Sequence, residues 1–449
     1  MLDKLPPRSI EAEASLLSAV LIDNSVLNEV VEILRPLDFY KTAHQKIFSA
    51  MIALSEKSEP VDLVTLTNFL KDKEQLEKIG GAVYLSKLID EVPLAVNALH
   101  YARIIRDKAT LRDLIQRAYA IIKRCWADQG QVENIVDFAE SCVFEVSERK
   151  VRPSFHCVKD LVIKSFDIIE ARQKNEGIPT GVSTGFFKLD RLTSGFQKSD
   201  LIILAARPSM GKTAFALNIA RNAAVECRIP VGFFSLEMSK EQLVMRLLCS
   251  EASIDSLRLR NGSVSGQDLV RLKNAGGTLY DAPIYIDDSY NNSVLSIRAK
   301  SRRLKSENGL GLVIIDYLQL IKVMRRTERR DLDVSEISRS LKGLAKELEI
   351  PVLALSQLNR QSERRDDKRP RLSDLRESGA LEQDADVVAF IHRKNASRKK
   401  EELRMDDGTA ELIVAKQRNG PTDTLRLTFL DAYARFENLA PDEYVNKSC

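Results

Sequence analysis

Residues 201–213, with the sequence LIILAARPSMGKT, constrain the fold most strongly, because they predict a buried strand that leads directly into a phosphate-binding loop. Gly211, Lys212 and Thr213 match the end of the pattern G-x-x-x-x-G-K-[ST], whereas Ala206 stands in place of its first glycine. Backbone N–H groups of such a loop face phosphate oxygens, and the following helix adds the positive end of its dipole. Lys212 is expected to reach the β- and γ-phosphates, and the Thr213 hydroxyl to bind Mg²⁺. The predicted nucleotide-binding residues are Ala206, Arg207, Pro208, Ser209, Met210, Gly211, Lys212 and Thr213.

The composition excludes several classes of protein. A chain of 449 residues is too long for one ordinary core, so two or three domains are expected. No apolar run approaches the ~18 residues that a membrane span needs, and the first residues do not form a secretion signal. The six cysteines contain no C-x-x-C pair and the four histidines do not cluster, which favours a reducing cytosol and argues against a metal site built from these residues. The net charge is only +4, so an argument for nucleic acid depends on local charge.

Three segments with different patterns divide the chain. Residues 1–150 carry helical periodicity almost throughout and predict an all-α domain. Residues 151–180 are predicted to be a linker with an amphipathic helix over 158–170, which packs either on its own chain or on a neighbouring subunit. Residues 181–449 alternate strands with helices, which predicts a mostly parallel sheet with helices on both faces. The predicted strands are Leu201–Ala206, Val231–Leu236, Ile284–Asp288, Leu312–Asp316, Val352–Ser356, Val387–Ile391 and Glu411–Ala415, with a closing hairpin over Thr424–Asn438.

Two carboxylates at or just after strand ends, Asp316 and Glu237, suit phosphate chemistry. The ends of parallel strands line a phosphate site, so Asp316 is expected to bind Mg²⁺ opposite Thr213, directly or through water. Glu237 follows the strand that comes after the phosphate-binding loop, where a carboxylate orients or deprotonates the water that attacks the γ-phosphate. The alternative is that Glu237 caps the helix that begins near Ser239.

Two further strand ends carry an amide and two cations. Gln357 ends the strand after Asp316, and its amide suits a sensor of the γ-phosphate, because it both donates and accepts hydrogen bonds. Lys416 and Arg418 stand at a strand end before a tight turn, and an arginine, from the same chain or from a partner, matches the charge that develops on a transferring phosphoryl group. A solvated basic turn is the alternative for these two cations.

Basic residues crowd two predicted loops that contain no aromatic residue. This favours contact with the backbone of a phosphate chain over base stacking. Acidic residues are interleaved, so a solvated surface is the alternative. The basic residues are Arg325, Arg326, Arg329 and Arg330, then Arg360, Arg364, Arg365, Lys368, Arg369 and Arg371.

A series of short motifs relates the chain to a known family. They are SGFQ at 194–197, AARPSMGKT at 205–213, SLEMS at 235–239, IDYLQL at 315–320, EISRSL at 336–341, SQLNR at 356–360, LRESG at 375–379 and KQRNGP at 416–421. Through these motifs, in this order, the chain resembles the bacterial replicative DNA helicases of the DnaB type along nearly its whole length. That family carries alanine at the first glycine of the loop, which accounts for Ala206. One departure is Ser199, where a glycine is expected, and a positive φ there costs roughly 1 kcal/mol for another residue.

The resemblance implies a cytoplasmic homohexameric ring that hydrolyses ATP with Mg²⁺, moves 5′→3′ on single-stranded DNA and unwinds the duplex at the replication fork. It implies a RecA-like ATPase domain, a separate all-α N-terminal domain and a linker helix that docks on the adjacent ATPase domain. Lys416 and Arg418 fall on positions that reach the neighbouring subunit's ATP, and Arg376, Glu377 and Gly379 fall on a loop that holds DNA phosphates. A primase and a helicase loader are the implied partners, with no membrane.

Two other functions fit a phosphate-binding loop of this kind. A RecA-like recombinase forms open filaments and exchanges strands, and the helical N-terminal segment argues against it. A clamp or loader scaffold uses ATP only to close a ring and does not unwind DNA.

Overall fold

The computed structural model describes residues 5–90, 97–127, 179–290, 292–321, 330–358, 369–393 and 408–439, with scattered residues between 132 and 166. Of residues 376–378 it describes the backbone. The chain divides into two compact units, Met1–Val162 and Ile163–Cys449. Most of the predicted linker 151–180 lies outside the described residues, so its bounds stay a prediction.

The first unit is helical throughout its described part, as the periodicity predicts. Leu17 and Val20, three residues apart on one helix, are fully buried in its core. His44 is also buried, and its ring nitrogens lie 2.8 Å from a Glu13 carboxylate oxygen and 2.7 Å from the Tyr84 hydroxyl, so it is a satisfied core histidine. The helices are α1 Ile10–Ile22, α2 Ser25–Ile33, α3 Thr42–Glu56, α4 Leu63–Asp72, α5 Leu76–Ile79, α6 Gly81–Asp90 and α7 Ala98–Trp126.

The described strands of the second unit form one sheet of nine strands at its centre. Its order is β3-β2-β4-β5-β1-β6-β7-β8-β9; the first six strands in this order are parallel and the last three join antiparallel. The seven predicted strands and the closing hairpin are confirmed, with ends that move by at most two residues. The strands are β1 Leu201–Ala206, β2 Val231–Ser235, β3 Ile284–Asp287, β4 Leu312–Asp316, β5 Val352–Gln357, β6 Val387–His392, β7 Thr409–Gln417, β8 Asp423–Leu430 and β9 Arg435–Asn438.

Helices cover both faces of this sheet. Strand β1 is buried on both sides: Ile202 and Leu204 enter one apolar core, and Ile203 enters the other. A strand buried on both faces has no polar alternation, which is why 201–206 is an uninterrupted apolar run. The helices are α8 Phe187–Thr193, α9 Lys212–Arg221, α10 Lys240–Ala252, α11 Ser256–Arg260, α12 Gly266–Tyr280, α13 Val294–Asn308, α14 Arg330–Leu348 and α15 Gly379–Asp384.

Ser199 confirms the strain expected at the entry to β1. It adopts φ +66°, in the left-handed region that favours glycine. Its carbonyl accepts a hydrogen bond of 2.8 Å from Lys342 Nζ on α14. This contact stabilises the left-handed turn at Ser199, a conformation that glycine would adopt without strain.

Candidate active site

The predicted phosphate-binding loop lies between β1 and α9, at the carboxyl edge of the parallel strands. Ala206 is still part of β1 and pairs with Gln357 on one side and Ile391 on the other, so its extended backbone does not require glycine. Gly211 adopts φ +95° at the start of α9. A Cβ at Gly211 would lie 3.0 Å from the Phe436 ring, so this position needs glycine for both its conformation and its packing.

Three predicted residues meet directly behind this loop. Thr213 Oγ1 donates a hydrogen bond of 2.7 Å to Asp316 Oδ2, and Lys212 Nζ lies 3.8 Å from Asp316 Oδ1. Lys212 Nζ also lies 4.4 Å from the centre of the Tyr317 ring, within range of a cation–π contact. The lysine, hydroxyl and carboxylate predicted from separate motifs therefore share one site.

Burial perturbs both charges of this site. It lowers the pKa of Lys212, against the opposing effect of the Asp316 and Glu237 carboxylates. It raises the pKa of Asp316, which is 1% exposed, against the effects of Lys212, the Thr213 hydroxyl and Arg246. Each group is only partly compensated by the described protein atoms, as expected of a site that also takes charged ligands.

The donor set fits a magnesium ion. Asp316 Oδ1 is buried and has no hydrogen-bond partner among the described residues. A carboxylate and a hydroxyl are oxygen ligands, and Mg²⁺ bound with a nucleotide takes one or two such protein ligands together with phosphates and waters. Within the described part of the chain, no group of three or more His, Cys, Asp or Glu residues forms a metal site of the all-protein kind.

Glu237 lies in the turn after β2, next to this site. Ser235 pairs with Asp316 in the sheet, and its hydroxyl bonds both the N–H and the carbonyl of Met238, which fixes the turn. The helix that follows is capped by Ser239, whose hydroxyl accepts from the Gln242 N–H, so the alternative that Glu237 is the cap is wrong. The Glu237 side chain is exposed and lies close enough to Lys212 to affect its pKa.

Lys416 and Arg418 lie at the opposite edge of the sheet. Lys416 pairs with Val388 near the amino end of β6, whereas the phosphate-binding loop follows the carboxyl end of β1. At about 3.3 Å per residue, the length of β1 alone puts on the order of 15 Å between the two edges. Within one chain the structure therefore does not bring these cations to Lys212.

Both cations have partners at the carboxyl end of α15. Lys416 Nζ donates to the carbonyls of Gln383, at 3.2 Å, and Ala385, at 2.7 Å, and also to that of Glu382. Arg418 donates to the Gln383 carbonyl and lies 3.4 Å from Asp386. Burial, and then the charge of Arg418, lower the pKa of Lys416. Lys416 is only partly exposed and donates hydrogen bonds to three carbonyls. The alternative interpretation, a solvated basic turn, therefore does not apply to it.

The predicted DNA-binding residues are described only in part. Arg376 and Glu377 belong to the 3₁₀ segment Leu372–Ser378, and Gly379 begins α15 directly after it. Arg325 and most of the two basic segments lie outside the described residues. Arg369 is described, and it forms a bidentate ion pair of 2.7 Å with the buried Glu411, so it belongs to the structure of the domain.

Three residues near the site were not identified from the sequence. Tyr317 faces Lys212, and Gln319 bridges the strand ends of Asp316 and Gln357. The buried Arg393 stacks 4.0 Å from the centre of Phe429, whose ring lies against Gly211. Their positions in the sequence are the signal that could have identified them. Tyr317 and Gln319 follow Asp316 within the same motif, and Arg393 follows the end of β6.

The fold and this site define a P-loop ATPase with a RecA-like sheet and a separate helical domain. Residues 181–438 match the DnaB-like helicase C terminal domain, and residues 5–107 match the DnaB-like helicase N terminal domain. The chain therefore belongs to the DnaB-like family of replicative DNA helicases, which are ATP-dependent enzymes.

Similar proteins span the same length. The chain is 52% identical over 438 residues to the replicative DNA helicase DnaB of Geobacillus stearothermophilus, covering 97% of this chain and 96% of that protein. It is 48% identical over 438 residues to the replicative DNA helicase DnaC of Bacillus subtilis (strain 168), covering 97% and 96%. A solved DnaB-like replicative helicase, studied with its interactions with primase, aligns at TM-score 0.74 and 34% identity over 96% of this chain and all of that one. A second solved structure, of an ATPase domain alone, aligns at TM-score 0.60 and 40% identity over 64% of this chain and all of that one.

Among the described residues, no helix has the length and apolar character needed to cross a membrane.

Proposed function

We propose that this protein works as a homohexameric ring that hydrolyses ATP between its subunits to move 5′→3′ on single-stranded DNA and unwind the duplex at the fork. The observation that carries the proposal is the placement of Lys416 and Arg418 on the edge opposite Lys212. A cation on that edge acts on a phosphate only in another copy of the chain. In a ring, each copy then supplies one half of two different sites.

In this proposal one subunit binds the nucleotide phosphates. The backbone N–H groups of the loop and Lys212 hold the phosphate oxygens, and Thr213 and Asp316 are the protein ligands of Mg²⁺. Mg²⁺ neutralises charge on the β- and γ-phosphates when it is bound. The other 206–213 residues shape the loop around the phosphates.

Glu237 and Gln357 act on the attacking side of the γ-phosphate. The exposed Glu237 carboxylate, which lies close enough to Lys212 to affect the pKa of that lysine, orients a water and accepts its proton. Gln357 lies beside Ala206 at the same edge, with its side chain exposed. Its amide donates to a γ-phosphate oxygen or accepts from the water.

The neighbouring subunit supplies Arg418 and Lys416. Phosphate oxygens are stronger acceptors for a guanidinium or an ammonium than the carbonyl oxygens that hold these groups within the chain. Both cations therefore exchange partners when ATP lies across the interface. Their charge then stabilises the transferring phosphoryl group.

DNA lies along the loop that contains Arg376, Glu377 and Gly379, and Arg325 adds a further phosphate contact. The backbone of this loop continues into α15, whose far end holds Lys416 and Arg418. A solved relative has been studied with its interactions with primase, which supports primase as a partner here, and a helicase loader is proposed beside it. The described cysteines Cys125, Cys142, Cys227 and Cys249 are free thiols, which supports a cytoplasmic location.

Exposed apolar residues support assembly. Val158, Val162 and Phe166 are helical, lie four residues apart and are 70%, 43% and 60% exposed. Residues at this spacing share one helix face. We propose that the predicted helix 158–170 docks this face on an adjacent subunit.

Mixing two inactive variants tests the shared site. Arg418→Ala and Glu237→Ala hexamers are each expected to lose ATP hydrolysis, and subunit exchange is expected to restore part of it, because some interfaces then pair two intact halves. Two separately prepared Arg418→Ala samples, mixed in the same way, are the control and stay inactive. Absence of rescue at every ratio contradicts the shared site, and open filaments in negative-stain images contradict the ring.

A further inference from the structure

The strands that carry Asp316 and Gln357 separate just before these residues. Strands β4 and β5 pair in register from Val313 and Val352 as far as Ile315 and Ala354. Gln357 keeps its partner on the other side, Ala206 of β1, and the Leu358 N–H donates to the Ala206 carbonyl at 3.1 Å. On the β4 side, strand pairing no longer holds the end of β5.

The side chain of Gln319 spans this gap. Its Nε2 donates to Ser356 Oγ at 2.9 Å and to the Gln357 carbonyl at 3.2 Å, and its Oε1 accepts from the Gln357 N–H at 3.4 Å. A primary amide is the side-chain group that both donates and accepts in one plane, so it binds a peptide group as a neighbouring strand would. Gln319 thus replaces the missing ladder bonds at the end of β5.

This bridge holds the backbone of Gln357 from both sides, while the Gln357 side chain forms no hydrogen bond with the described residues. Ser356 is buried and Gln319 is half-buried, whereas the Gln357 side chain is exposed at the edge that carries Lys212 and Asp316. A fixed backbone with a free amide limits the positions that the amide reaches. The contacts therefore control where the amide of Gln357 lies relative to the carboxylate of Asp316.

We infer that Gln319 is a positioning residue for ATP hydrolysis, which acts by fixing Gln357 relative to Asp316. The inference rests on the proposed function, since it needs Gln357 to face the γ-phosphate. Gln319 itself contacts no reacting group. Its loss therefore affects the chemical step more than it affects ATP binding, which depends on the loop at 206–213.

Steady-state ATP hydrolysis by full-length Gln319→Met, with and without single-stranded DNA, tests this. Methionine keeps the length of the side chain and removes its hydrogen bonds. We expect kcat to fall at least about tenfold while KM for ATP changes less than about threefold, because a misplaced group costs rate and leaves ground-state binding intact. The matched control, Gln267→Met on the exposed surface of α12, is expected to keep the wild-type kcat and KM.

A double variant shows whether Gln319 acts through Gln357. Gln319→Met combined with Gln357→Ala is expected to be no slower than Gln357→Ala alone, because the bridge has nothing left to position. Gln319→Glu keeps the acceptor and loses the donors, and it is expected to lower kcat while its melting temperature stays near that of the wild type.

The outcomes separate this inference from the proposed function. If Gln319→Met keeps the wild-type kcat while Gln357→Ala is slow, the inference alone is overturned. The inference alone is also overturned if kcat of the double variant falls by the product of the two single effects. Full activity of Gln357→Ala overturns both the sensor role and the inference. Wild-type ATP hydrolysis by Lys212→Ala overturns the proposed active site itself.

Discussion

The Thr213 hydroxyl donates a hydrogen bond of 2.7 Å to Asp316 Oδ2 across 103 residues of sequence. The bond joins the first turn of α9 to the end of β4, the two elements on which the proposed Mg²⁺ ligands lie. The second carboxylate oxygen, Oδ1, faces Lys212 at 3.8 Å. Both proposed metal ligands are thus oriented by each other and by the lysine of the loop.

Substitution of Thr213 separates hydroxyl chemistry from packing. Thr213→Val keeps the shape and loses the hydroxyl, so kcat is expected to fall at least about tenfold and the Mg²⁺ concentration for half-maximal activity to rise. Thr213→Ser keeps the hydroxyl and is expected to retain most of the activity. Hydrolysis assays over a Mg²⁺ titration measure both, and equal loss in the two variants argues against a metal-ligand role.

Removal of Lys212 tests the phosphate contact. Lys212→Ala is expected to lower ATP hydrolysis about 100-fold or more and to abolish unwinding, because a positioned cation on the phosphates is lost. Lys188→Ala, on α8, removes an equal charge outside the proposed site and is the control. Normal unwinding of a forked substrate by Lys212→Ala contradicts the site.

Gly211→Ala tests the conformation of the loop. At φ +95°, with a Cβ that would lie 3.0 Å from the Phe436 ring, alanine is expected to lower the free energy of unfolding by about 1–3 kcal/mol and to raise KM for ATP. The control is Gly277→Ala in α12, where nothing lies within 4 Å of the added Cβ. That change is expected to leave stability unchanged or to raise it by up to about 1 kcal/mol. Chemical denaturation measures both.

Asp200 makes stability depend on pH. Burial, and then the charge of Asp386, raise the pKa of Asp200 to about 6, against 3.8 for an ordinary Asp. A raised carboxyl pKa stabilises the folded state fully below pH 3.8, and this contribution is lost as the pH rises through 6. Asp200→Asn is therefore expected to raise the melting temperature at pH 7.5, with a gain that shrinks below pH 6. Asp423→Asn, on the exposed surface of β8, removes an equal charge and is the control measured over the same pH range.

Local patterns made much of the site predictable. The strand–loop–helix at 201–221 and the carboxylates at two strand ends follow from short runs of sequence, and a parallel sheet brings such ends together. The positive φ of Ser199 was expected from the family resemblance, because the family's pattern has glycine at that position. These features depend on neighbours along the chain.

Gln319 and the edge position of Arg418 depend on the order of the strands. A glutamine that bonds a peptide group 38 residues away has no periodicity or charge pattern that marks it. Lys416 and Arg418 lie at the carboxyl end of β7. Because β7 runs antiparallel to β6, this end lies beside the amino end of β6, at the edge opposite the phosphate-binding loop. The residues alone predicted the chemistry of these cations and left open whether they act in their own chain or in a partner, and the family resemblance implied the partner.

The two edges of the sheet bear on how DNA enters the proposed ring. Each copy has the phosphate-binding loop on one edge and Lys416 and Arg418 on the other. An open linear assembly of any length therefore has an unpaired loop at one end and unpaired cations at the other. Only in a closed ring does every phosphate-binding loop face the cations of a neighbouring copy. In the proposed ring, an interface that opens to admit a DNA strand would separate the loop of one subunit from Lys416 and Arg418 of the next, so its ATP site would be inactive until the ring closes. On this proposal, loading onto DNA and the return of full ATP turnover would coincide.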